Sequence, residues 1–141
     1  MIKRYFNAAI LYAALALACG VFYREFTKHT GFAGQTNLSV LHAHYFVLGM
    51  FFFLVLALLE KSFQFSNGRS VNVWILTYHI GLNITAAGLL LRGLAQATGA
   101  APSAGMEASL SGVSGIGHIM LGTGVIALLV LARKRAAEQG N

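Results

Sequence analysis

Charge is scarce in this sequence, and acidic charge most of all. The 141 residues include no aspartate, four glutamates, one cysteine and one proline, and only 10% are charged. A soluble domain carries about 25% charged residues, so a surface facing water cannot be assembled from this composition. With 57% hydrophobic residues, the chain reads as an integral membrane protein. Its single cysteine, Cys19, excludes an intramolecular disulfide and any CxxC metal or redox motif, and its apolar neighbours predict a buried thiol. Glu25, Glu60, Glu107 and Glu138 all fall at the ends of apolar runs, in loops or in the C-terminal tail. A carboxylate-based site for proton or sodium coupling is therefore missing. No HExxH, Walker loop or triad pattern occurs, which removes support for hydrolase and nucleotide chemistry.

Four apolar runs remain, at 5–23, 38–59, 71–95 and 109–132, each near the roughly 20 residues that a spanning helix needs. Strand alternation is absent, so the expected fold is all-α, a single domain over 1–141 with four transmembrane helices. The segments YREFTKHTGFAGQTN, KSFQFSNGRS and ATGAAPSAGMEA connect them, His29 falls in the first of these, and RKRAAEQGN reads as a solvated tail. The start, MIKR followed by a run ending LALACG, resembles a secretory or lipoprotein signal. Ala16 stands where the lipobox pattern has leucine, and the first run is retained as a helix.

The formal net charge of +6 follows topology. Lys3, Arg4, Lys61, Arg69, Arg133, Lys134 and Arg135 fall on one predicted side, against Arg24, Lys28 and Arg92 on the other. That asymmetry predicts both termini in the cytoplasm, in the cell (inner) membrane, with the lipid bilayer and no nucleic acid as partner.

The chemistry lies in histidines placed inside apolar runs. LSVLHAHYFVLGM carries His42 and His44, which a helix separates by about 200°. They cannot ligate one ion together and must serve two sites, or one site and one packing contact. Helical spacing puts His42 with Ser39, Phe46 and Gly49, and His44 with Val40, Leu41, Val47, Leu48 and Phe51. Either face could take a flat apolar ring with an imidazole reaching its centre, or both histidines could be hydrogen-bonded packing groups. An ionisable group in lipid is costly and is by default a functional candidate. His118, in SGVSGIGHIMLGTG, shares its face with Ser111, Ser114, Gly115 and Gly122. That face suits either close helix packing or a cofactor.

The third run carries two polar stripes, Asn72–His79–Asn83 and Gly81–Thr85–Gly88–Arg92, with His79 and Arg92 about 220° apart. His79, toward the inner side, is expected to bond an asparagine or line a polar path and is a weak metal ligand. Arg92, near the outer surface, could snorkel to headgroups or neutralise carboxylates of a buried cofactor. Neutral imidazoles without carboxylates or thiolates suit haem iron, copper or zinc, and haem best suits separated histidines with glycine beside them.

Through GVFYREFTK, LSVLHAHYFVLGM and SGIGHIMLG, the chain resembles an uncharacterised family of small bacterial four-helix membrane proteins over nearly its full length. That family is in turn similar to the catalytic subunit I of haem-copper oxidases, whose twelve helices form three arcs of four and whose HxH sends one histidine to each of two haems. The resemblance implies a homotrimer of this chain, with His42 of one protomer and His44 of its neighbour facing across haem b. The oxidases also have a copper centre with a histidine cluster and a cross-linking tyrosine. Here only His79 stands on the corresponding third helix, so a haem scaffold without oxygen reduction is implied.

The resulting expectation is a b-type cytochrome-like protein for electron transfer or gas and redox sensing, possessing an unidentified redox partner. Its site residues are His42 and His44 as iron ligands, His118 as an alternative ligand and Arg92 at the propionates. The competing expectations are a small metal-ion or solute channel or carrier, and a structural assembly partner of a respiratory complex.

Overall fold

The computed structural model describes residues 1–139, in which four helices are long and apolar enough to cross a membrane. They are α1 (Ile2–Thr30), α2 (Leu38–Phe63), α3 (Arg69–Thr98) and α4 (Ala104–Gln139), and no strand occurs among the described residues. Each outruns the apolar stretch that predicts it, because a helix pairs its own backbone groups and can continue into polar sequence. The expected first loop is therefore shorter. α1 runs on through Arg24 and Lys28, so His29 lies in its last turn and not in a loop. Gly31, with φ 66°, ends it in the left-handed conformation, and the Phe32 N–H returns to the Thr27 carbonyl at 3.0 Å. RKRAAEQ of the expected tail RKRAAEQGN is mostly exposed, as a solvated segment should be, but it is helical, and residues 140–141 lie outside the described residues. α4 continues to Gln139, whose amide donates to the Phe63 carbonyl at 2.9 Å.

The helices alternate in direction, so both termini share one end of the bundle with the 64–68 connection, and the 31–37 and 99–103 connections share the other. α1 packs on α2, α3 joins α2 to α4, and α1 and α4 do not touch among the described residues. The unit is thus open, with α1 and α4 at its extremes.

Bare backbone carries the closest contacts. A Cβ on Gly81 would lie 2.5 Å from the Leu121 nitrogen and 2.8 Å from the Gly117 carbonyl oxygen. One on Gly117 would meet Thr85, and one on Gly88 would collide with the Ser114 hydroxyl. The Gly81–Thr85–Gly88 stripe of α3 is therefore the seat for α4, the small-residue packing that substitutes for hydrophobic drive in lipid. The small residues opposite are Ser114 and Gly117, Gly124 lies further along against Tyr78, and Gly115 and Gly122 have open space where a Cβ would stand.

α2 changes winding in its middle. Tyr45–Phe51 form a π-helix between α-helical Leu38–His44 and Phe52–Phe63. Such insertions shift the pairing of main-chain carbonyls and occur often at functional sites. Here the Tyr78 hydroxyl donates to the Leu48 carbonyl, and Tyr12 lies so close to Gly49 that a Cβ there would be 2.6 Å from the Tyr12 ring carbon Cγ. The fully buried aromatic side chains Tyr5, Tyr12, Phe53 and Tyr78 gather from the middle of the bundle toward the termini. In the other half the buried side chains are smaller, among them Ala16, Leu38, Leu41 and Ala86, and they leave space between α1 and α3.

Candidate functional site

His42 and His44 diverge as their spacing requires. His42 faces α1, where Gly20 leaves room for its ring, and Gly49 lies on that same α1-facing side against Tyr12. The His42 Nδ1 is buried and has no hydrogen-bond partner. His44 is half-buried and belongs to a stripe whose other members, Val40, Val47, Phe51, Val55 and Leu58, are apolar and exposed. Leu41 and Leu48 depart from the expected His44 wall: Leu41 is buried in the interior and Leu48 packs against the core.

The His44 tautomer follows from its partner. Nδ1 lies 2.9 Å from the Val40 carbonyl oxygen, which can only accept, so Nδ1 carries the proton and Nε2 keeps its lone pair. His118 is held identically, its Nδ1 2.8 Å from the Ser114 carbonyl oxygen. It is exposed beside the open Gly115 and Gly122. The close packing expected of its face belongs to the adjacent one, through Ser114 and Gly117.

Depth can be read from cross-helix contacts. Leu38 lies against Gly93, and the neighbouring Arg92 donates to the Ser111 hydroxyl, which fixes one level. His44 is six residues beyond Leu38 and His118 seven beyond Ser111, so both sit about 10 Å deeper. Arg92 is half-buried, its Nε lacks a partner, and with Asn37, Gln96 and Glu107 it lines a hollow of about 380 Å³ at the bundle end.

The His79 ring bonds a tyrosine, and the expected asparagine, Asn83, reaches the His79 main-chain carbonyl instead of the ring. Its Nδ1 is 2.6 Å from the Tyr12 hydroxyl, and its ring stacks on Phe53 at 4.7 Å between centroids. Asn83 completes the cluster, since its amide nitrogen donates to the Tyr12 oxygen at 3.1 Å and to the His79 carbonyl at 2.8 Å. Its Oδ1 accepts from Tyr45 at 3.2 Å. Tyr12 is 2% exposed, and a buried hydroxyl hydrogen needs an acceptor. Tyr12 therefore donates to His79 Nδ1 and accepts from Asn83. The sequence reading placed His79 and Asn83 on one stripe but missed Tyr12 and Tyr45; buried tyrosine hydroxyls, which must find partners, were the available signal.

Cys19 is half-buried and lines the space between α1 and α3. Among the described residues, no three of His, Cys, Asp and Glu come together where they could hold a metal ion. The candidate ligands thus remain spread over separate faces of one chain.

A family model matches residues 2–135, almost the whole chain. The chain belongs to the family described as "protein of unknown function (DUF2871)". This agrees with the resemblance to an uncharacterised family of small membrane proteins. No curated protein and no solved structure matches the chain.

Proposed function

We propose that the protein is a membrane haem-binding protein of the b-type cytochrome kind, serving electron transfer or gas and redox sensing. The observation that carries this reading is His44: an imidazole with a fixed tautomer and a free Nε2 lone pair, standing in an otherwise apolar exposed stripe. In lipid that placement is costly unless something of matching chemistry covers it. A histidine whose Nδ1–H is held by a carbonyl is oriented and made more basic for ligation through Nε2.

The donor set fits haem b. His42 and His44 of neighbouring protomers would hold the iron, with His118 as the alternative ligand. The Nε of Arg92 is buried without a partner, and the propionates would provide one. When bound, haem supplies a one-electron iron centre; two imidazoles would saturate it for electron transfer, and one would leave a position for a gas. His44 and His118 orient and bind, and the apolar residues beside His44 exclude water.

The open unit, with its unpaired α1 and α4 extremes, is compatible with the homotrimer that the resemblance to oxidase subunit I suggests. The basic residues at the end carrying the termini support an orientation with both termini in the cytoplasm, in the cell inner membrane. A channel or carrier for a metal ion or polar solute has less support, since the hollow between α1 and α3 is largely apolar. An assembly role in a respiratory complex would use the same exposed faces without a cofactor.

The test is an absorption spectrum of detergent-purified protein from haem-supplied cells, before and after dithionite, with a haem-to-protein ratio. A sharp Soret band and split α and β bands, lost on His44→Ala, are expected. A colourless protein, or full haem in both His42→Ala and His44→Ala, overturns the assignment.

A further inference from the structure

Independent of the haem reading, the hydrogen-bond wiring at Asn83 identifies a second site. A hollow of about 410 Å³ lies between α1 and α3, bounded by Leu15, Cys19 and Phe22 on one side and Asn83, Ala87 and Leu90 on the other, with Tyr45 at its base. A shallower hollow of about 430 Å³, lined by His79 and Ile80, meets it at Asn83 and Ala87. The pair forms an apolar groove with one polar patch. Both Asn83 and Ala87 are exposed, so in a bilayer the groove opens sideways to lipid, and its occupant arrives from the membrane.

The Asn83–Tyr45 part of the polar patch has a defined sign. The Asn83 amide must turn its nitrogen to the His79 carbonyl, because that oxygen only accepts. Its nitrogen also serves Tyr12, so both N–H groups are committed. Oδ1 accepts one bond, from Tyr45, and a carbonyl oxygen can take two. Tyr45 spends its own hydroxyl hydrogen on that bond and keeps acceptor capacity. At the junction of the two hollows, Asn83 and Tyr45 therefore offer acceptors and no free donor, while the second hollow holds the Nε2–H of His79, left free by the Tyr12 bond, and the first the weak thiol donor of Cys19; a hydroxyl, which donates and accepts, meets both kinds of partner. The walls, with Phe22 and the Tyr45 ring among aliphatic side chains, suit a ring head and an apolar tail. A bilayer lipid chain would fill the apolar length but leave the acceptors unmet.

We propose that this groove binds a membrane hydroquinone: a lipid-tailed ring whose hydroxyl donates to Asn83 Oδ1, with the tail lying between α1 and α3. The Tyr12–His79 pair is a positioning element that fixes the Asn83 amide orientation from behind.

The experiment is calorimetric titration of the purified full chain in detergent with decylubiquinol under anaerobic conditions, with decylubiquinone as the partner probe lacking the hydroxyl hydrogen. Saturable binding of the quinol is expected, with the quinone weaker by about tenfold, the loss of the hydrogen bond to Asn83 Oδ1. Ala87→Phe, at an exposed position, should fill the groove and remove quinol binding while leaving the thermal midpoint close to wild type. No saturable quinol binding by the wild-type chain overturns the proposal. Equal affinity for quinol and quinone overturns hydroxyl recognition, and quinol binding unaffected by Ala87→Phe overturns the location.

Discussion

The hydroxyl of Tyr12 in α1 meets Nδ1 of His79 in α3 at 2.6 Å, and the two rings stack with centroids 5.6 Å apart. This contact joins two helices that otherwise barely touch. It also sets the proton on the far nitrogen of His79, because Tyr12 donates.

Tyr12→Phe removes that hydroxyl and leaves His79 Nδ1 and one Asn83 N–H without their partner. Interhelical hydrogen bonds in membranes contribute little on average, but unmet buried groups cost more, so a loss of about 1–2 kcal/mol is expected. Unfolding of the variant in mixed detergent, followed by circular dichroism, measures it. A variant as stable as wild type would mean that the cluster does not hold α1 to α3.

Two glycine substitutions should part company. Gly81→Ala drives a methyl group to 2.5 Å from the Leu121 backbone nitrogen, which cannot yield as a side chain can, and overpacking of this kind costs about 1–3 kcal/mol. Gly115→Ala meets nothing within 4 Å and should change stability by no more than about 0.5 kcal/mol. The same unfolding titration reads both. If Gly115→Ala leaves stability intact but lowers haem content, the face of His118 is the one that a cofactor covers.

On the haem reading, His44→Ala abolishes the reduced low-spin bands, and added imidazole restores part of them by filling the vacated ligand position. His29→Ala, in the last turn of α1, leaves the spectrum unchanged. Retention of full bands by His44→Ala would exclude His44 as a ligand.

Arg92→Leu removes a cation whose Nε has no protein partner. A positive charge beside haem favours the reduced state, so its loss should lower the midpoint potential, by an amount on the order of tens of millivolts. A spectroelectrochemical titration checks the sign; an unchanged potential would place Arg92 with Ser111 and the membrane surface alone.

The orientation has a direct test in a Cys19→Ser background. A cysteine at Gly34, in the 31–37 connection, should react with an impermeant maleimide added to intact cells. One at Asn67, between α2 and α3, should react only after permeabilisation. The reverse pattern would invert the topology.

The sequence by itself determined the four spanning helices and the divergence of His42 from His44. Both follow from local rules: twenty apolar residues must satisfy their own backbone in lipid, and 100° per residue puts neighbours two apart on different sides. It also made the Gly81–Thr85–Gly88 stripe legible as one face. What stood opposite that face was not legible, and Gly117 in place of Gly115 was selected by the rotation at which α4 settles on α3. Helix ends were misjudged at His29 and in the C-terminal segment, because apolar length marks membrane thickness while helices end where a cap or partner stops them, as Gly31 does. Only the tertiary structure decided that His79 meets Tyr12 and that Asn83 turns its oxygen toward Tyr45. Those partners lie 67 and 38 residues apart in the chain, and a periodicity confined to one helix carries no information about which residue of another will reach it.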